Sequence, residues 1–254
     1  MHGRSGTLGG SRPDQGVDRV SEPRLTFLLD VDNTLLDNDA AKRELDTRIA
    51  DLLGPDWTVR FWELYEAVRR AEGMVNIPLT MARLEAEQGA EPTGAAGDAG
   101  RLGRERRFAL ADLLMEFRYD RFLYPGALEA VAHLRRLGRV AILTEGDPTF
   151  QPSKIWRAGL DDAVGGYVLV FDHKVTHLAE VVAAFPADHY VLVEDKPDVI
   201  AEIAARVSAP LTTVFVRQGK YAAAVPPGPW PGADLTLDQI GDLCDLNLAD
   251  FWLT

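Results

Sequence analysis

Two aspartates, Asp30 and Asp32, close a short apolar run that begins at Leu25, and Asn33 and Thr34 follow them. The run has the length and composition of a strand buried in a parallel sheet. Two carboxylates at the end of such a strand raise each other's pKa and destabilise the fold unless something neutralises them. A bound cation would do so. Hard Mg2+ takes oxygen ligands and needs only one or two carboxylates beside phosphate and water. A metal site there would also lie where open α/β sheets bind ligands, outside the carboxyl ends of the strands. The same residues have a plainer reading as a turn, with Asp37, Asn38 and Asp39 capping the next helix. Three further clusters decide between the two.

Thr144, Glu145, Gly146, Asp147 and Pro148 follow a second apolar run. A hydroxyl and backbone N–H groups at a strand end suit an anionic oxygen, which makes Thr144, Glu145 and Gly146 candidates for holding one. Asp147 and Pro148 read as a helix cap followed by proline in the first turn. Lys174 follows a third run. A fixed ammonium there would pair with a nucleophilic carboxylate and stabilise charge on a transferring phosphoryl group. The neighbouring His173 reads as a structural residue. Glu194 and Asp195 end a fourth run. Asp195 would complete a metal site with Asp30 and Asp32, and Glu194 and Asp198 are second candidates. Asp198 equally suits the first turn of a helix, where a carboxylate favours the dipole.

The elements that must carry these residues follow from periodicity. Short runs rich in β-branched residues at 25–29, 139–143, 167–171, 190–193 and 212–216 predict buried strands. Helical patterns at 126–137, 148–158, 177–185 and 197–207 separate the later ones. That alternation predicts βαβ units with right-handed crossovers, a doubly wound Rossmann-like parallel sheet. Residues 38–122 break it. They carry helical patterns at 38–53, 58–72, 78–88 and 104–119, with a Gly/Ala/Glu-rich loop expected at 89–103. The reading is a helical cap inserted into a core formed by 24–37 and 123–254, preceded by a disordered tail at 1–23.

The 254 residues suffice for one large domain or a core with an insert. The net charge of −12 argues against nucleic acid as a partner, because phosphate backbones demand a basic face. The single cysteine, Cys244, excludes a disulfide framework and a Cys-rich zinc site, and reads as a small packed hydrophobe. No run resembles a signal-peptide core or a membrane span, so a cytoplasmic location is the simplest expectation.

The four clusters, in this order at the ends of four core strands, resemble the motifs of the haloacid dehalogenase-like hydrolase superfamily. The resemblance covers 24–34 and 124–243, and the insert resembles the α-helical cap of one subclass. It implies a strand order of 3-2-1-4-5 and Mg2+ as cofactor. It implies Asp30 as the nucleophile that forms an aspartyl-phosphate, and Asp32 as general acid and then base. It implies Thr144 and Lys174 on the phosphoryl oxygens, with Asn33, Glu145 and Gly146 as further phosphate contacts. Mg2+ would be bound by Asp30, Asp32 and Asp195, with the backbone carbonyl of Asp32 a further ligand. Many relatives carry an acidic residue four positions after the metal aspartate. Here that position is Val199. Dehalogenases of the superfamily use a nucleophilic aspartate without Mg2+ or the second aspartate. Asp32 and the acidic fourth motif therefore favour a phosphoric monoester hydrolase acting on a small phosphorylated metabolite.

Other readings of the same residues are a phosphosugar mutase and a non-catalytic binding module. A phosphonate hydrolase would need a cap lysine placed for a Schiff base, and Lys42 is the only lysine in the expected cap. Substrate choice should lie in the cap. Trp57, Arg60, Trp62, Tyr65 and Arg69 cluster on one helical segment there, and Arg118 and Tyr119 raise the same question. Such an aromatic stripe most simply packs the cap.

Overall fold

The computed structural model describes residues 24–87 and 102–252. The expected tail and all but the last two residues of the expected loop at 89–103 lie outside them. One sheet holds six parallel strands: β1 (Leu25–Leu29), β2 (Arg139–Glu145), β3 (Val168–Phe171), β4 (His189–Glu194), β5 (Leu211–Val216) and β6 (Leu235–Leu237). Their order is β3-β2-β1-β4-β5-β6. Five strands and their order are as expected. The sixth is a three-residue edge strand, too short to register as an apolar run.

The helices α1 (Asn38–Leu53), α2 (Pro55–Glu72), α3 (Ile77–Ala86) and α4 (Arg104–Met115) all fall between β1 and β2, followed by α5 (Ala127–Leu137). Helices α6 (Phe150–Arg157) and α7 (Leu160–Val164) join β2 to β3, and α8 (Leu178–Ala184) joins β3 to β4. Helix α9 (Pro197–Arg206) joins β4 to β5, and the single turn α10 (Gly219–Ala222) precedes β6. In α1, Asp37 caps the first turn by accepting from the Ala40 N–H at 2.8 Å. The buried stripe Ala41, Leu45, Ile49 and Leu53 then repeats every fourth residue and faces α2 and α4. Among the described residues no helix is long and apolar enough to cross a membrane.

Side chains alternate across β1. Phe27 and Leu29 join a core under α5 that continues into α1, α2 and α4, while Leu28 joins a second core under α8 and α9. Phe27 packs edge-on against Phe251 with ring centroids 5.0 Å apart, which ties the last turn of the chain to the central strand. Every residue of β1 is buried, as a middle strand covered on both faces requires.

Register decides where the chemistry-bearing residues meet. Leu29 stands opposite Ile142 of β2 and Val193 of β4. The next residue along each strand is therefore Asp30, Leu143 or Glu194, side by side at one edge of the sheet. The ladder runs one step further, since the Asp30 N–H donates to the Val193 carbonyl at 3.0 Å. The chain leaves for the helices at Asp37 and returns at Phe122, and these two crossings are bonded to each other. The Asp37 N–H donates to the Phe122 carbonyl at 2.8 Å and the Tyr124 N–H to the Leu35 carbonyl at 3.0 Å.

Candidate active site

Past β1 the chain folds into a tight turn. The N–H groups of Leu35 and Leu36 both donate to the Val31 carbonyl at 3.0 Å, and the Asn33 N–H donates to Leu36 at 2.7 Å. Asn33 takes a left-handed φ of 65°, which asparagine tolerates better than most residues. Gly219 packs against it so closely that a Cβ there would lie 2.5 Å from the Asn33 Cβ. Gln218 clamps the turn, its amide donating to the Thr34 carbonyl at 2.8 Å while its oxygen accepts from the Ile240 N–H at 2.6 Å.

This turn delivers Asp30 into a buried cluster of charges. The Lys174 ammonium donates to Asp30 Oδ1 at 2.7 Å and also bonds Glu194 Oε2. The other Asp30 oxygen, Oδ2, meets the Thr34 hydroxyl at 3.4 Å. Lys174, Glu194 and Asp195 have no exposed surface at all. Burial pushes the Asp30 carboxyl up, but Lys174 and Lys196 outweigh it and hold it below its ordinary value. On Glu194 burial prevails instead and the carboxyl is raised, with Asp30 beside it adding to the effect.

Asp195 is the anomaly of the cluster. Both of its carboxylate oxygens are buried, and among the described residues neither has a hydrogen-bond partner. Burial, with Glu194 and Asp30 nearby, pushes it up to about 10. Oxygens of Asp30, Glu194 and Asp195 lie within 4.8 Å of one another. Three carboxylates face two ammonium groups, and one of the carboxylates is left without a donor. A site short of one positive charge and offering only oxygen ligands fits a divalent cation. Glu194 is already spent, with Oε2 on Lys174 and Oε1 accepting from the Lys196 N–H at 3.2 Å. Asp195 and Asp30 are the freer ligands.

Asp32 stands apart from that cluster. Its side chain is 26% exposed, pairs with Lys154 and meets the Gln151 amide at 3.4 Å. Lys154 also donates to Asn38 Oδ1 at 2.7 Å and lies 5.4 Å from the centre of the Tyr119 ring. Gln151 reaches Thr144 Oγ1 at 3.2 Å, linking the second motif to the second aspartate. Neither Gln151 nor Lys154 stood out in the sequence. Their signal is their spacing, one helical turn apart on the helix that opens directly after β2.

An aspartate, a lysine and an acidic pair thus meet at one sheet edge. A model for haloacid dehalogenase-like hydrolases matches residues 25–216. The chain belongs to that family. A haloacid dehalogenase-like hydrolase of Burkholderia xenovorans LB400 is 36% identical, with a TM-score of 0.74 over 89% of this chain and 99% of its own. The HAD-hydrolase YfnB of Bacillus subtilis, solved bound to magnesium, is 20% identical with a TM-score of 0.54, over 87% of this chain and 97% of its own. The L-2-haloacid dehalogenase of Xanthobacter autotrophicus is 18% identical with a TM-score of 0.50, over 87% and 96%. The last two show likeness of fold alone. No curated protein matches the chain by sequence.

In this haloacid dehalogenase-like hydrolase a cavity of about 330 Å3 lies between the helices and the sheet edge. Helix α2 lines it with Phe61, Trp62, Tyr65 and Arg69, while Lys42, Tyr119 and Lys154 border it from α1, the turn at Tyr119–Phe122 and α6. Part of the aromatic stripe therefore faces the cavity as well as packing the helices. Trp57 and Arg60 do not line it, and Arg60 is held outside by Glu63 and Glu87. Burial raises the Tyr65 hydroxyl to about 12, with Glu66 and Asp32 contributing, so it stays a neutral donor.

Several expected roles change at this resolution of detail. The Asp32 carboxylate is not in the acidic cluster, because Lys154 and Gln151 hold it on the cavity side. Asp198 is exposed in the first turn of α9 and outside the cluster, the position its helix-dipole reading requires. The N–H of Gly146 is not free for an anion, since the β2–β3 ladder continues into it and it donates to the Phe171 carbonyl at 2.9 Å. The Asn33 N–H is likewise used within its turn, and the Glu145 carboxylate accepts from the Lys174 N–H at 3.2 Å. Asp147 caps as expected, accepting from the Thr149 and Phe150 N–H groups at 2.8 and 2.7 Å, although α6 opens two residues beyond Pro148.

Proposed function

We propose that the chain is a Mg2+-dependent phosphomonoesterase acting on a small organic phosphate through an aspartyl-phosphate. The observation that carries this reading is Asp195: a buried carboxylate without a donor, beside the nucleophile-type Asp30, with a second carboxylate two residues on at the cavity. Mg2+ would be held by Asp30 and Asp195, with the Asp32 carbonyl as a further ligand, and when bound it would neutralise charge on the phosphoryl oxygens. Family resemblance alone leaves dehalogenation open. A dehalogenase has no use for a metal site or for a second aspartate facing the substrate.

The chain's own residues divide the work. Lys174 keeps Asp30 ionised and aimed, so that its oxygen attacks phosphorus while the bond to the leaving oxygen breaks. Asp32, as general acid, gives a proton to the leaving oxygen. In the second step Asp32 takes a proton from water, and that water's oxygen displaces Asp30 from phosphorus and releases phosphate. Lys154 and Gln151 aim the Asp32 carboxylate between these steps. The helices over the cavity limit access of bulk water.

The test is hydrolysis of p-nitrophenyl phosphate and a panel of phosphorylated metabolites, with Mg2+ and with chelator, for wild type and Asp30→Asn. Phosphate release that needs Mg2+ and falls at least about a thousandfold in the variant is expected. Halide release from 2-haloacids in chelator, with no phosphate release in Mg2+, would overturn the reading.

A further inference from the structure

Two ammonium groups sit near Asp30, and they differ in what they have left to give. An ammonium has three N–H donors. Lys174 directs its three at Asp30 Oδ1 (2.7 Å), Glu194 Oε2 and the Leu143 carbonyl (3.5 Å). It is fully buried and does not border the cavity. A phosphoryl group arriving from the cavity could engage it only by displacing one of these partners.

Lys196 differs on each count. It precedes α9, where Pro197 fixes the start of the helix and its own N–H is anchored on Glu194 Oε1. Its side chain lines the cavity, with the Tyr221 ring centre 6.0 Å from its Nζ. Among the described residues its ammonium makes no ion pair within 4.0 Å and no hydrogen bond.

We propose that Lys196 grips the phosphoryl group of the substrate, leaving Lys174 to hold the nucleophile. The inference rests on the phosphatase reading above. Its physical basis is that a dianionic group must enter a site already lined by carboxylates, and the cation that receives it should not first have to break an ion pair. Lys196 makes its charge-assisted bonds only when the substrate is present. The competing role is that Lys196 merely offsets the carboxylates, in which case phosphate would not depend on it.

The experiment titrates inorganic phosphate into the Mg2+-loaded protein by calorimetry, for wild type, Lys196→Met and Lys196→Arg. Mg2+ is titrated separately without phosphate, and each protein is melted. Lys196→Met should weaken phosphate binding about tenfold to a hundredfold, with Mg2+ bound no more weakly than by wild type. Lys196→Arg should restore most of it. If Lys196→Met fails to fold, Lys196→Gln is measured in its place. Phosphate affinity within about twofold of wild type would overturn the proposal. So would parallel loss of Mg2+, which would put the effect on the metal. If wild type hydrolyses esters while the variant binds phosphate normally, only this inference falls. If wild type neither binds phosphate nor releases it from any ester, the phosphatase reading falls and takes the inference with it.

Discussion

The floor and the mouth of the cavity use the same two kinds of side chain and arrange them in opposite ways. On the floor, beneath the residues that line the cavity, Asp30, Glu194 and Lys174 form a closed network at most 1% exposed, set at or just past strand ends. At the mouth, Asp32 and Lys154 form an open pair, one partner buried and the other 26% exposed, set by a turn and a helix. A buried network is unforgiving, because any member left alone is an uncompensated charge. An open pair can fall back on water. On the proposed mechanism, rigidity lies under the nucleophile and latitude under the group that carries a proton in both directions.

Lys174→Met should break the contrast most severely. It leaves Asp30 and Glu194 buried without their cation, a loss of about 3–5 kcal/mol that urea denaturation would register alongside loss of turnover. Retained stability would mean the floor is wetter than the structure indicates.

Removing metal should sharpen the contrast. Asp195 is raised to about 10 in the folded chain and has an ordinary value once unfolded, so between these limits the folded state holds the extra proton. Metal-free protein should therefore lose stability as pH rises from about 5 to 9, by no more than about 1.4 kcal/mol per pH unit for this one group. Melting in chelator would show the slope, and saturating Mg2+ should flatten it. A slope of the opposite sign would remove Asp195 as its source.

The mouth should respond least. Lys154→Met strands Asp32 only partly, so stability should change by less than about 1 kcal/mol. Turnover should fall about tenfold through poor aim of Asp32, with recovery in Lys154→Arg and no change in Mg2+ affinity. An equal loss in both variants would argue that Lys154 does more than orient.

This division also explains what the sequence makes legible. Asp30, Lys174, Glu194 and Asp195 stand at or just past the ends of apolar runs, where a charge is conspicuous because burial should exclude it. Parallel pairing then brings them together in any doubly wound sheet. Gln151 and Lys154 are inconspicuous because polar residues one turn apart on a helix usually mark its wet face. Only the packing of α6 under Tyr119 turns that face inward. The N–H of Gly146 is engaged rather than free for a different reason: strand ladders extend past the last apolar residue, and nothing in side-chain type reports where backbone bonding stops. Strand β6 is silent at three residues.

The paired crossings at Asp37 and Phe122 bear on how such a molecule can diversify. Since the outgoing and returning chains are laced together, the sheet meets the whole helical layer as if it were one closed loop. The entropic penalty of a closed loop grows only with the logarithm of its length. Lineages descended from this architecture can thus lengthen, shorten or rewrite the roof over the cavity while the foundations of Asp30 stay untouched, so new specificity can be tried without rebuilding the charged floor.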